Sequence, residues 1–180
     1  DRSADLVSAA GAQACGIETM RDKIVSRGLL FDVPRSKGLD YLEPGYPITE
    51  DDLNRCLWET GLSIGRGDIA IIRTGQMVYC KQNGWGDYAG GDAPGLSFST
   101  LDWIHRHELA AIATDTWGVE VLPCELPGMF DAVHLVCIPN MGLLIGEIFD
   151  LEELAADCAA DGSYEFLFVA PPLLVTGGVG

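Results

Sequence analysis

His134 is one of only three histidines in 180 residues, and it opens the stretch HLVCIPNMGLLIGE, which closes on Glu147. Imidazole nitrogens and carboxylate oxygens are ordinary ligands of Zn²⁺ or Mn²⁺. Either group can also carry a proton during hydrolysis. A glutamate that ends an apolar run needs a partner, because an unpaired carboxylate is costly to bury. The spacing is not the HExxH pattern of a single helical face. The pair therefore reads as two halves of a polar site, or as a core histidine and a solvated acid.

Other polar residues emerge from apolar runs in the same way. GDIAIIRTG delivers Arg73 and Thr74, AAIATDT delivers Asp115 and Thr116, and GLLFD ends on Asp32. Ligands of α/β proteins bind beyond the carboxyl ends of strands, so Asp115 and Thr116 are candidates to line a site. Arg73 is a candidate to orient a substrate carbonyl or carboxylate. The competing reading is that Arg73 and Asp115 satisfy each other or cap nearby backbone. Trp85 and Tyr88 lie in the glycine-rich stretch QNGWGDYAGGDAPG, where they could close over a ligand or simply pack locally. His105 and His107 flank Arg106 and point in different directions on a helix, so both are read as surface or helix-end residues.

The elements that must position these groups alternate. Residues 3–15 fit a helix ending at Gly16. Residues 29–33 form a short buried strand stopped by Pro34. ITEDDLNRCLWETG has Thr49 as a cap, acids in its first turn and a closing Gly61, which defines a helix. Residues 69–72 are a core strand. Ser99 with Asp102 resembles a capping box opening a second helix, and Asp150 caps a third, DLEELAADCAA. Residues 131–141 fit a helix, LLIGEIF fits a strand, and YEFLFVA and LLVTGG read as the last strands. The class is α/β, a single domain over residues 1–180. No P-loop, no GxGxxG after a strand and no GxSxG occurs, which removes the common nucleotide-binding and serine-hydrolase readings.

With 48% hydrophobic and 21% charged residues the chain is globular rather than disordered. Its net charge of −16 argues against nucleic acid and anionic membrane surfaces, which require basic patches. Six cysteines without a CxxC pair, several inside apolar runs, read as reduced and mostly buried thiols of a cytoplasmic protein. No apolar run is long enough to cross a bilayer.

Several stretches, in order, resemble the downstream two-thirds of the cyclase family that includes bacterial kynurenine formamidase and isatin hydrolase. They are SRGLLFDVPRSKGLDYLEPGYPITEDDLNRCL, GDIAIIRTG, APGLSFSTLDWI, IATDTWGVEVLP and VHLVCIPNMGLLIGEIFDLEELA. The resemblance implies a swivelling β/β/α-type fold, a mixed sheet with flanking helices, and homo-oligomeric assembly. It also implies a metal-dependent hydrolase that opens a small amide, lactam or lactone with a metal-activated water. A histidine and a glutamate of the late motif contribute to the metal site in the kynurenine formamidase branch, and those positions fall on His134 and Glu147. The family's principal ligand motif, HxGTHxDxPxH, has no match here, and residues 1–28 hold no histidine. The expectation is therefore that both ends are incomplete and that the main ligands lie upstream. The ending MGLLIGE resembles a subgroup whose upstream motif departs from the full ligand set. Such a member would use Glu147, Asp115 and an upstream histidine with a weak metal or none. A relative that keeps the fold without the ligands, a non-catalytic binding or structural subunit, is the alternative.

Overall fold

A computed structural model describes residues 7–9, 11–12 and 16–178. They form two compact units, one of Arg27–Phe166 and one of the described residues up to Ser26 with those from Leu167 onward. In the smaller unit, strands β1 (Val7–Ser8) and β2 (Gly11–Ala12) pair antiparallel. There, Ala12 and Ile17 donate backbone hydrogen bonds to the carbonyls of Gly177 and Gly178.

The strands that follow are β3 (Val25–Asp32), β4 (Pro47–Ile48), β5 (Ile69–Arg73), β6 (Gly95–Leu96), β7 (Ala111–Thr114), β8 (Leu144–Gly146) and β9 (Glu165–Val169). The helices are α1 (Val33–Ser36), α2 (Glu50–Thr60), α3 (Gln76–Asn83), α4 (Leu101–Arg106), α5 (Ala132–Val136) and α6 (Glu152–Asp161). Five strands form one sheet in the order β8-β7-β5-β3-β9. β3, β5, β7 and β8 run parallel. The bonds Leu30 N–H to Tyr164 O and Ala170 N–H to Ile24 O run in the antiparallel sense, which makes the sheet mixed. It is α/β, as the alternation of elements predicts, with the mixed sheet and flanking helices that the family resemblance implies.

Parallel strands joined by helical crossovers are covered on both faces. Accordingly, every residue of β5 and β7 is buried. Phe31, Ile72, Ile112, Trp103 and Ile104 lie in one apolar cluster with Leu53 and Leu96. α2 starts at the predicted cap Thr49, which forms a capping box with Asp52, and ends on the predicted Gly61 in the left-handed region. The small β4–β6 pair holds Val119–Val121 alongside it. Leu96 donates to the Val119 carbonyl, and Val121 donates to that of Leu96.

Three expectations need correction, and one helix was not expected. Among the described residues of the 3–15 stretch, two short strands stand where a helix was predicted, and the rest of that stretch lies outside the described residues. LLVTGG forms no strand. The second helix opens as a 3₁₀ turn, with Ser97 rather than Ser99 as the capping side chain. Helix α3 carries no sequence cap, because Gly75 occupies that position, and the sequence reading does not identify it.

Glycine is required at two approaches. Gly75 has φ +79°, and a Cβ there would lie 2.6 Å from the Asp40 carbonyl oxygen. At Gly95 a Cβ would lie 2.4 Å from the carbonyl of Glu120. Gly95→Ala is expected to destabilise the protein by about 1–3 kcal/mol, as overpacking of a close contact does. Chemical denaturation checks this. An unchanged unfolding midpoint would mean that the Glu120 backbone yields freely.

Candidate active site

The end of β7 begins the path to the site. Asp115 is fully buried, and its carboxylate accepts the Thr74 N–H and Oγ–H and the Gly75 N–H, each at 2.8 Å. It thus supplies the N-terminal anion that α3 lacks locally. Burial pushes the Asp115 carboxyl up, against the bonds from Thr74 and Gly75. Thr116, also fully buried, donates its hydroxyl to the Gly118 carbonyl. The backbone of this segment then accepts Phe149 N–H at Thr114 and Ile148 N–H at Thr116. These two bonds suspend the residues that follow Glu147 from the exit of β7.

Two segments deliver the polar pair. Glu120, 3% exposed and held by the β6 register, turns its carboxylate onto the first turn of α5. There it accepts Val133 N–H at 3.1 Å and His134 N–H at 3.2 Å, replacing the cap that Asp131 does not provide. The same carboxylate meets His134 Nδ1 at 2.8 Å. On the other side of the ring, His134 Nε2 lies 3.0 Å from Glu147 Oε1. The imidazole is therefore clamped between two carboxylates. The bond to Glu120, only partly opposed by burial and aided by Glu147, raises the His134 pKa above its ordinary 6.5.

His134, Glu120 and Glu147 line a cavity of about 210 Å³, together with Trp117, Leu122 and Phe130. Polar groups converge on an apolar wall, the usual composition of a small-molecule site.

The structure brings His134 and Glu147 into direct contact and does not bring the other sequence candidates to them. Arg73 pairs with Asp32 and Glu152, both at 2.8 Å, and also donates to the Asp40 carbonyl. Its guanidinium is buried in this network, which closes the carboxyl ends of β3 and β5 against α6, instead of facing the cavity to orient a substrate. Thr74, Asp115 and Thr116 are buried in the hydrogen bonds described above rather than lining the cavity. Arg73 and Asp115 each have their own partners. Trp85 packs edge-to-face on Tyr88 with centroids 5.4 Å apart, at a different cavity. His105 is exposed on α4, and His107 stacks on Trp103 at its end.

Glu120 escaped the sequence reading. The available signal was an acid in the apolar run VEVL, close to the glutamate–partner argument already applied to Glu147. The cysteines Cys56, Cys80, Cys124, Cys137 and Cys158 are free, and Cys15 lies outside the described residues. Burial pushes the Cys56 thiol up to about 12 and the Cys137 thiol up to about 11, so both stay un-ionised. No helix among the described residues is long and apolar enough to cross a membrane.

A mixed sheet of this order places the chain in the α/β class, and comparison with known proteins identifies the family. Residues 6–121 match the family described as "Putative cyclase", and the chain belongs to that family. His134 and Glu147 lie beyond the matched residues, so their pairing rests on the geometry above. A crystal structure described as a novel cyclase is 36% identical, with a TM-score of 0.84 over 98% of this chain and 57% of that one. Isatin hydrolase A from Ralstonia solanacearum is 14% identical, with a TM-score of 0.70 over 91% of this chain and 60% of that one. Isatin hydrolase A from Labrenzia aggregata, bound to benzyl benzoate, is 16% identical, with a TM-score of 0.66 over 91% and 61%. The likeness to the two hydrolases is one of fold. The chain spans 57% to 61% of the length of these structures. No curated protein matches it.

The clamp has a measurable pH signature. A histidine whose folded pKa is raised stabilises the fold fully below the unfolded value of 6.5, and that contribution is lost as pH rises through the folded pKa. In chelator-treated protein, the His134 ring resonances are expected to titrate above pH 6.5, and Glu120→Gln is expected to move the midpoint down. A His134 midpoint at or below 6.5 in the unmodified protein would contradict the clamp.

Proposed function

We propose that the protein is a hydrolase that opens a small amide, lactam or lactone, with His134 and Glu147 at the reacting centre. The observation that carries this reading is the His134 imidazole held between Glu120 and Glu147 at the wall of an apolar-lined cavity. Membership of the cyclase family and the shared fold with isatin hydrolases support it.

The donor set fits a divalent metal such as Zn²⁺ or Mn²⁺ as two of its ligands. Glu120 engages Nδ1, so Nε2, which faces Glu147, is the nitrogen that would ligate a metal, in the carboxylate–histidine arrangement common around metals. Nε2 and Glu147 Oε1 are 3.0 Å apart, a separation suited to neighbouring ligands that each lie about 2.0–2.2 Å from one ion. No group of three candidate ligands occurs among the described residues, so further ligands would come from outside them. When bound, the ion would supply a Lewis acid and an acidified water.

The protein's own groups have separable tasks. Glu120 fixes the ring plane and tautomer of His134 through the bond that also caps α5. Glu147, 31% exposed at the cavity, is placed to hold a proton taken from water. Where no metal takes Nε2, His134 is instead placed to return a proton from that nitrogen to the leaving nitrogen or oxygen as the carbonyl carbon loses it. Trp117 and Phe130 receive a flat apolar substrate body and limit water access.

The test uses the full-length protein, with metal analysis and hydrolysis assays on isatin and on simple N-formyl amides. His134→Ala and Glu147→Gln are expected to reduce turnover by about 10²–10⁴, the usual range for a positioned acid–base group. Both variants should still fold. Full-length protein that retains no metal and hydrolyses none of these substrates would instead support the non-catalytic binding subunit.

A further inference from the structure

We propose that the cavity beside α3 is a second ligand site, for a small aromatic cation carrying N–H donors. It has a volume of about 490 Å³, within the range of small-molecule sites. None of its lining residues lines the His134 cavity, so the proposal does not depend on the function assigned above.

The first observation is Gln76, at the start of α3. It is 3% exposed and lines the cavity, and its side-chain oxygen has no hydrogen-bond partner among the described residues. A buried carbonyl left unpaired is costly, and an N–H donor on a ligand would relieve that cost. The second observation is the aromatic wall. Trp85 and Tyr88 meet edge-to-face, and Tyr79 lines the cavity from α3. Tyr88 is fixed by donating its hydroxyl to the Asp115 carbonyl at 2.9 Å, so this wall is anchored to the exit of β7. Aromatic faces attract flat rings and cations alike.

The third observation is charge. Asp87 and Asp92 stand at the same cavity, and neither enters an ion pair among the described residues. The net charge of −16 adds a field that repels anions. A buried acceptor, an aromatic wall and two free carboxylates select a flat cation with N–H groups, such as an arylamidine.

Benzamidine is the probe, and benzoate, of the same shape but opposite charge, is the control. Calorimetry and saturation-transfer NMR are made on the full-length protein. Benzamidine is expected to bind with ring contacts to tryptophan and tyrosine, and benzoate is not. Gln76→Leu is expected to weaken benzamidine by about tenfold, the equivalent of one hydrogen bond to a charged donor. Asp92→Asn is expected to weaken it by about two- to fivefold. Should Gln76→Leu fail to fold, Trp85→Ala and Asp92→Asn on the exposed loop decide the question. Absence of benzamidine binding, equal binding of benzoate, or wild-type affinity in every folded variant would overturn the proposal.

Discussion

A carboxylate with no access to water must find its hydrogen bonds inside the protein, and Asp115 finds them at the end of a neighbouring strand. By taking the Thr74 and Gly75 donors it joins the exits of β7 and β5 and ends the sheet at a defined place. It also sets the first turn of α3, which begins from a left-handed glycine with no side-chain cap of its own. The chain beyond Asp115 then leaves in one direction only. It accepts a bond from Ile148 at Thr116, carries Trp117 into the cavity wall, and passes under Gly95 to place Glu120. Charge burial at one residue thus sets where the polar pair can form.

The second constraint is the cap of α5. A short helix has orphan N–H groups at its start, and a helix N-terminus favours an anion. Glu120 supplies that anion from a distant segment, and its remaining acceptor capacity reaches His134 Nδ1. One carboxylate therefore stabilises a helix and orients an imidazole at once. This explains why His134 sits at the third position of α5, where ring and backbone N–H can face the same oxygen. Arg73 belongs to a separate system. Its network with Asp32 and Glu152 balances charges at the other strand ends, which buried ions require if they are to be tolerated.

The acidity of the chain acquires a local meaning in this arrangement. Some of its carboxylates are consumed by structure, as Asp32, Asp52, Asp68 and Asp115 are, each bonded to backbone or to a cation. Others face cavities, as Glu147 and Asp87 do. Clefts lined by one sign of charge concentrate ligands of the opposite sign, whether metal ions or organic cations.

Periodicity and caps were enough to read α2, with Thr49, Asp52 and Gly61, and the core strands around Ile71 and Ile112. Those signals are local, because side-chain spacing and capping act within a few residues. His134 and Glu147 were legible as a pair only through their types and the ordered motifs around them. Glu120 was not legible as their partner, nor was α3 as a helix. Both depend on a side chain contributed from far along the chain, Glu120 onto α5 and Asp115 onto α3. The same limit hid the destination of Arg73, whose partners Asp32 and Glu152 lie 41 and 79 residues away. Sequence alone determined the class, most of the elements and the kind of chemistry available. Tertiary structure decided which charges meet, because a buried charge is satisfied by whichever donor the packed strands bring to it, and that donor has no fixed distance in sequence.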